Sequence, residues 1–235
     1  CERSRAIGVR ASGGFGDLVT VPHARYLFDL GDLDPALAAT YACSGLTVYS
    51  AVTKLLPCPP DEPVVLIGAG GLGLSGIAVL RALGHRNIVV TDIGPAKLGA
   101  ALDAGASATV ENSGDDVAAR IMAAAGGPVR RVIDLVNNAA TAPLALSLLA
   151  RGGKVVQVGL FGGAMTLPLM TVPMRALMIQ GSFVGSPAEM RALIALARSG
   201  ALAPIPTTTM PKSSATAALT ALRDGKVSGR IVLVA

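Results

Sequence analysis

Residues 63–84 read PVVLIGAGGLGLSGIAVLRALG, which joins a β-branched apolar run, a glycine-rich turn and a longer run rich in Leu and Ala. Gly68, Gly70 and Gly73 have the spacing G-x-G-x-x-G between a predicted strand and a predicted helix. Where such a turn binds a dinucleotide, the first glycine permits the tight bend, the second lets a pyrophosphate approach the backbone, and the third lets the helix pack on the strand. Glycines also occur at ordinary tight turns, so the spacing alone does not identify a binding site.

The start of the predicted helix would offer N–H groups and a partial positive charge to phosphate oxygens. The residues predicted to contact the pyrophosphate are Gly68, Gly70, Gly71, Leu72 and Gly73. Asp92 ends the next β-branched run, 19 positions after Gly73. A carboxylate there accepts hydrogen bonds from ribose hydroxyls and repels a 2′-phosphate, so it favours NAD over NADP. The alternative is that Asp92 only caps the helix that follows.

From about residue 60 the sequence alternates between short β-branched segments and longer segments rich in Ala and Leu. The predicted strands are 63–67, 87–91, 107–110, 130–136, 153–159 and 177–184. The predicted helices between them are 71–83, 95–104, 115–125 and 139–150. Strands joined by helical crossovers form a parallel sheet with right-handed connections. We therefore predict the α/β fold class, with a doubly wound parallel sheet over residues 60–186.

The flanking segments have a different pattern. Residues 13–30 alternate as a strand does, and residues 45–56 are predicted to form a helix that ends before the proline-rich stretch 58–63. Beyond the sheet domain we predict two helices and a final strand, at 188–199, 213–223 and 229–234.

Composition narrows the classes of protein. A hydrophobic content of 51% with 15% charged residues indicates a compact interior. The net charge is +5, but the basic residues are scattered and aromatics make up only 3%, so no nucleic-acid partner is expected. The uncharged run 63–80 contains five glycines, which favours a strand, turn and helix over a membrane span. Three cysteines make no disulfide framework, and we expect a cytoplasmic protein.

Three other motifs do not lead to a site. The sequence NNAA at 137–140 is similar to a motif of short-chain dehydrogenases, but no Tyr has a Lys four residues later. No G-x-x-x-x-G-K-[ST] phosphate loop occurs. His23 lies in a strand-like surface stretch, and His85 lies in a helix-to-strand turn at the end of the sheet opposite to the ligand edge. We expect both histidines to face solvent rather than to act in catalysis.

Further motifs accompany the glycine loop along the whole chain. They are GGFGDLVTVP (13–22), ACSGLTVYSAV (42–52), VVTD (89–92) followed by Lys97, GGKVVQVGL (152–160), GSFVGS (181–186) and GKVSGRIVLV (225–234). With these motifs the chain resembles the zinc-dependent alcohol dehydrogenases of the medium-chain dehydrogenase/reductase superfamily. The resemblance implies a Rossmann domain at 60–186, inserted between two parts of a GroES-like β catalytic domain at 1–59 and 187–235.

The resemblance also assigns roles to residues outside the glycine loop. Cys43 would be a ligand of the catalytic zinc, Thr47 would lie against the nicotinamide, and Lys97 would reach the adenosine ribose. The other positions implied at the cofactor are the backbone of Val158, Gly159 and Leu160 at the carboxamide, Phe183 near the same amide, and Arg230 at the pyrophosphate. Without the resemblance, Cys43 could be a buried unreactive thiol and Arg230 a solvated side chain at a strand end.

The implied reaction is hydride transfer between an alcohol and NAD, with Zn²⁺ polarising the substrate oxygen. A catalytic zinc site uses about three protein ligands, and of the family's ligands only Cys43 has a counterpart here. Cys1 resembles the last of four cysteines that hold the family's structural zinc, whereas Cys58 matches no ligand. Because the chain begins with Cys rather than Met, we expect an N-terminal segment to be missing. Alone, the chain would bind NAD and lack a working zinc site.

The implied partners are a small alcohol, aldehyde or ketone substrate and further copies of the chain. A homodimer or homotetramer would pair edge strands, here 177–184 and the stretch 167–173 before it, and a monomer would expose the apolar, Met-rich segment 165–179. No membrane partner is expected. Two alternatives remain: a zinc-free quinone or enoyl reductase of the same superfamily using NADPH, against which Asp92 and Cys43 argue, and a non-catalytic NAD(H)-binding module.

Overall fold

The computed structural model describes residues 6–234. Its main feature is a six-stranded sheet built from β1 (Val64–Ile67), β2 (Ile88–Asp92), β3 (Ala108–Glu111), β4 (Val129–Asp134), β5 (Leu149–Gln157) and β6 (Met178–Gly181). The strands lie in the order β3-β2-β1-β4-β5-β6, and every neighbouring pair is parallel. The chain changes direction across the sheet between β1 and β4, and in doubly wound sheets this position, at the carboxyl ends of the strands, is where ligands bind. The predicted doubly wound α/β fold is confirmed.

Helices cover both faces of this sheet, and further helices lie outside it. The helices of the described chain are α1 (Pro35–Ala39), α2 (Ser44–Thr53), α3 (Gly71–Ala82), α4 (Pro95–Asp103), α5 (Val117–Ala125), α6 (Thr141–Leu148), α7 (Thr171–Arg175), α8 (Pro187–Arg198) and α9 (Ala215–Arg223), of which α9 packs on the second, smaller sheet. The predicted helices are confirmed, with ends that differ by at most three residues. Within residues 6–234 no helix has both the length and the apolar character that crossing a membrane requires.

Successive residues of the central strands pack on opposite sides of the sheet. In β1, Val64 and Leu66 belong to the core formed with α2, α3, α4 and α8, whereas Val65 and Ile67 belong to the core formed with α5 and α6. All four side chains are at most 1% exposed. Full burial of such a side chain contributes about 1.5–3 kcal/mol. Burial on both faces explains the continuous apolar run that predicted this strand.

A small second sheet holds the end of the chain. It contains β7 (Thr207–Pro211) and β8 (Arg230–Val234), which pair in parallel, and it confirms the final predicted strand. The strand predicted at 13–30 is wrong. From residue 6 to 58 the structure describes helices and turns, with a single bridge between Ile7 and Ala11. A segment with alternating apolar and polar residues forms a strand only where a neighbouring strand completes its backbone hydrogen bonds. In this segment Leu18 is 92% exposed, so its apolar side chain does not face a core.

The prediction that His85 faces solvent is also wrong, since its side chain is 3% exposed. The boundary segment 58–63 folds over this turn, and the Arg86 N–H donates to the Pro60 carbonyl at 2.9 Å. Burial lowers the pKa of His85 from its ordinary value, while a hydrogen bond with the Pro59 backbone and the charge of Glu62 act in the opposite direction. His85 nevertheless precedes β2, at the amino end of the sheet, as expected.

Candidate functional site

The glycines of the loop between β1 and α3 have different structural roles. Gly68 has φ +110°, a left-handed conformation that glycine adopts without steric cost, and its N–H donates to the Thr91 carbonyl at 2.7 Å. A Cβ added to Gly73 would overlap the Gly68 carbonyl oxygen, so α3 lies directly against the loop. Gly70 is different, because an added Cβ there would have no protein atom within 4 Å. The fold therefore explains why residues 68 and 73 are glycines, but it does not explain why residue 70 is one.

The first turn of α3 is open to an anion. Gly70 occupies the N-cap position and no side chain caps this helix, so its first N–H groups have no side-chain acceptor. Gly71 and Leu72 lie in this first turn, next to Gly73. A helix N-terminus of this kind supplies hydrogen-bond donors and a partial positive charge to a phosphate.

Asp92 lies at the carboxyl end of β2 and contacts the glycine loop. Its Oδ2 accepts a hydrogen bond from the Ala69 N–H at 2.8 Å, and its Oδ1 accepts one from Gly94 at 3.2 Å. The Lys97 ammonium lies 3.6 Å from Oδ1. The carboxyl group is therefore fixed between the loop and the start of α4, whose N-cap is Gly94 rather than Asp92. The structure brings together the predicted ribose residues, Asp92 and Lys97.

Arg230 approaches the same loop from the second sheet. A Cβ added to Gly71 would lie 2.5 Å from the Arg230 Nε atom, so the guanidinium lies against the start of α3. Nε is buried and has no hydrogen-bond partner in the described chain. Burial lowers the pKa of Arg230 from its ordinary value, and nearby Cys43 acts in the opposite direction. A half-buried cation that has no ion pair within residues 6–234, beside an uncapped helix N-terminus, fits a diphosphate.

We expect Arg230→Met to weaken NADH binding by ten- to a hundredfold, because a charge-assisted hydrogen bond contributes about 1.5–3 kcal/mol. The melting temperature of the unliganded chain should stay the same or rise, since the variant removes a half-buried charge whose Nε atom has no hydrogen-bond partner in the described chain. NADH fluorescence titration and thermal unfolding measure the two effects. Arg86→Met removes an equal charge from an exposed position at the far end of the sheet, and it should leave the NADH affinity unchanged. Equal losses in both variants would contradict a specific contact at Arg230.

Cys43 and Thr47 lie at the start of α2. Cys43 is the N-cap residue and its thiol is exposed, which excludes the alternative of a buried unreactive side chain. The half-buried Thr47 donates its backbone N–H to the Cys43 carbonyl at 2.9 Å. Cys58 lies away from this site, where burial and then the charge of Glu62 raise the pKa of its thiol.

The predicted zinc ligands do not assemble into a metal site. Over residues 6–234 the structure contains no group of three or more His, Cys, Asp or Glu side chains arranged to hold a metal ion. Cys43 therefore stands as a single thiol. The predicted structural-zinc ligand, Cys1, lies outside the described residues.

The residues predicted at the carboxamide follow β5 and β6, at the same edge of the sheet. Val158 is buried, whereas Leu160 and Phe183 are 79% and 73% exposed. A Cβ added to Gly159 would overlap the Val136 carbonyl, so this glycine allows close contact with the turn after β4. These residues therefore lie on the β4–β5 side of the glycine loop, opposite to Asp92 on β2.

The sequence did not indicate two polar residues that shape this turn, one at the end of β4 and one within the turn. Asp134 ends β4 and is fully buried, and its Oδ1 accepts hydrogen bonds from the N–H groups of Val136 at 3.0 Å and Asn137 at 2.7 Å. Asn137 has φ +56°, a conformation that Asn adopts more readily than most residues. The Asn137-Asn138 pair is the sequence feature that could have indicated this turn.

Comparison with known proteins agrees with this geometry. Residues 71–199 match a family model described as zinc-binding dehydrogenase. An NAD-dependent alcohol dehydrogenase of Sulfurisphaera tokodaii is 34% identical over 100% of the chain and 68% of its own length. The chain belongs to the zinc-type alcohol dehydrogenase family.

Two further relatives extend this family assignment. An NAD-dependent alcohol dehydrogenase of Saccharolobus solfataricus is 33% identical, again over 100% of the chain and 68% of the relative. The crystal structure of the alcohol dehydrogenase from Aeropyrum pernix is 26% identical and superposes with a TM-score of 0.86, over 100% of the chain and 69% of that structure. The Rossmann-like parallel sheet is thus shared with solved alcohol dehydrogenases.

Proposed function

We propose that the chain is the NAD(H)-binding portion of an NAD-dependent oxidoreductase of the zinc alcohol dehydrogenase type, which transfers hydride between an alcohol and NAD. The observation that carries the proposal is the arrangement around the start of α3. Asp92 contacts the glycine loop on one side, and Arg230, whose Nε atom has no hydrogen-bond partner among the described residues, lies against Gly71 on the other. The relatives named NAD-dependent alcohol dehydrogenases support the same cofactor and reaction class.

Each part of the site has a defined task in this proposal. The start of α3 at Gly70 and the Arg230 guanidinium would hold the diphosphate, while Asp92 would accept hydrogen bonds from the adenosine ribose. When bound, NAD supplies the group that accepts or donates the hydride. Thr47 lies against the nicotinamide, and Leu160, with the other residues after β5 and β6, lines the carboxamide.

Zinc would polarise the substrate oxygen as a Lewis acid. The described residues do not fit a catalytic zinc ion, because such a site needs about three protein ligands and Cys43 is the one predicted ligand among them. We therefore propose that the chain by itself binds NAD(H) and does not turn over alcohols.

We also propose that two copies of the chain associate through β6, with a small-molecule alcohol or carbonyl compound as the substrate. β6 lies at the edge of the sheet, so one side of its backbone is free to pair. Large apolar side chains around this edge are exposed, namely Leu169, Met170, Met174, Met178 and Ile179. A second copy would cover this surface.

Titration of the purified chain with NADH tests the proposal. We expect a saturable fluorescence change with NADH and much weaker binding of NADPH, because Asp92 would face the 2′-phosphate. With NAD, zinc and a panel of alcohols we expect no formation of NADH. The absence of saturable NADH binding would refute the cofactor assignment, whereas alcohol turnover would refute the requirement for additional ligands. A preference for NADPH would favour the quinone or enoyl reductase alternative.

A further inference from the structure

The turn formed by residues 135–138, which follows β4, separates two loops of the cofactor site. On one side, a Cβ added to Gly68 would lie 3.1 Å from the Val136 side chain. On the other side, a Cβ added to Gly159 would overlap the Val136 carbonyl. The position of this turn therefore sets the distance between the glycine loop and the loop after β5.

Two polar side chains fix the turn from within. Asp134 holds the N–H groups of Val136 and Asn137, and it lies in register with Ile67 on β1 and Gln157 on β5. The Asn138 Oδ1 atom accepts hydrogen bonds from the N–H groups of Ala140 and Thr141, both at 2.9 Å, and so connects the turn to the start of α6. Both ends of the turn are thus anchored to regular structure.

Asn137 ties the turn to the loop after β5. Its Nδ2 donates a hydrogen bond to the Gly159 carbonyl at 3.0 Å. The other hydrogen bonds between these segments are made by the backbone, as when the N–H groups of Val158 and Gly159 donate to the Asp134 carbonyl. Within the described chain, the Asn137 carboxamide is therefore the one side chain that hydrogen-bonds across these two loops.

The topology places this contact at a particular half of the cofactor. Asp92 lies on the β2 side of the glycine loop, whereas Asn137 and Gly159 lie on the β4–β5 side. A dinucleotide with its diphosphate over α3 and its adenosine ribose at Asp92 must extend its second nucleoside toward β4 and β5. That nucleoside carries the nicotinamide.

We propose that Asn137 is a positioning residue for the nicotinamide half of the dinucleotide. Its carboxamide holds Gly159, and with it the loop after β5, at the separation from the glycine loop that this half requires. The inference rests on the proposed NAD(H) function. Binding of the nicotinamide half then depends on Asn137, whereas binding of the adenosine half does not.

Two variants and two ligands test this role. Asn137→Gly keeps a residue suited to the left-handed backbone but removes the hydrogen bond. Asn137→Asp keeps the side-chain shape but places a carboxylate oxygen against the Gly159 carbonyl. Each variant is titrated by calorimetry with NADH and with ADP-ribose, which lacks the nicotinamide. We expect NADH affinity to fall about tenfold in the glycine variant and further in the aspartate variant. ADP-ribose affinity should stay within about twofold of that of the wild type.

The outcomes distinguish the inference from the function on which it rests. Unchanged NADH affinity in both variants, or equal losses for NADH and ADP-ribose, would overturn the positioning role, and the second result would show general structural damage. The aspartate variant provides the answer should the glycine variant fail to fold. If the wild-type chain bound neither ligand, the proposed function would be refuted together with this inference.

Discussion

Asp92→Ala is expected to lower the affinity for NADH by about a hundredfold or more. Hydrogen bonds from the ribose hydroxyls to the carboxylate contribute about 1.5–3 kcal/mol each, and a hundredfold loss equals about 2.7 kcal/mol. The variant also frees the Ala69 N–H, which Asp92 binds at 2.8 Å, and so loosens the glycine loop itself. NADH fluorescence titration measures the loss.

Two matched variants separate charge from support of the loop. Asp92→Asn keeps an acceptor for the Ala69 N–H but removes the negative charge, so NADPH affinity should rise relative to NADH affinity. Glu111 ends the adjacent strand in register with Asp92 and is exposed, and Glu111→Ala should leave NADH binding unchanged. NADH affinity that is the same in Asp92→Ala and in the wild type would remove the basis for placing the adenosine ribose there.

The second large effect is expected at Gly70. A methyl group there meets no protein atom within 4 Å, so Gly70→Ala should fold with nearly the stability of the wild type. In the proposed complex the methyl group occupies space that the diphosphate needs, and we expect NADH affinity to fall by about a hundredfold or more. Thermal unfolding and NADH titration on the same sample show whether the loss is confined to binding.

Gly73→Ala should behave in the opposite way with respect to folding. Its Cβ would overlap the Gly68 carbonyl, which costs about 3 kcal/mol and lowers the melting temperature by roughly 6–12 °C for a chain of this length. Gly99→Ala, in α4 with nothing within 4 Å, is the control and should stabilise the chain by up to about 1 kcal/mol. NADH binding by Gly70→Ala that equals the wild type would show that no diphosphate lies over this glycine.

The parts of the site that the sequence predicted are those set by local patterns. The strand, the glycine turn and the helix at 63–84 are contiguous, so this one segment of sequence was enough to predict all three elements and the phosphate-binding role of the turn. Asp92 and Lys97 are also close in sequence, and in the structure the Lys97 Nζ atom lies 3.6 Å from the Asp92 Oδ1 atom. The general order of a doubly wound sheet then placed the ends of β4 and β5 on the other side of the loop.

The parts that sequence reasoning missed depend on contacts between distant segments. His85 is buried because residues 58–63 fold over it, and no periodicity near His85 indicates that cover. Residues 13–30 alternate like a strand, but alternation does not specify a pairing partner. Asn137 acts through Gly159, 22 residues away, so its role appears only when β4 and β5 lie side by side.

Arg230 comes from β8, far along the chain from the loop it touches at the start of α3. A diphosphate bound by both Arg230 and the start of α3 would link the first crossover helix non-covalently to the small terminal sheet. Because this link forms only in the folded protein with dinucleotide bound, the dinucleotide would protect β7 and β8 from local unfolding and proteolysis.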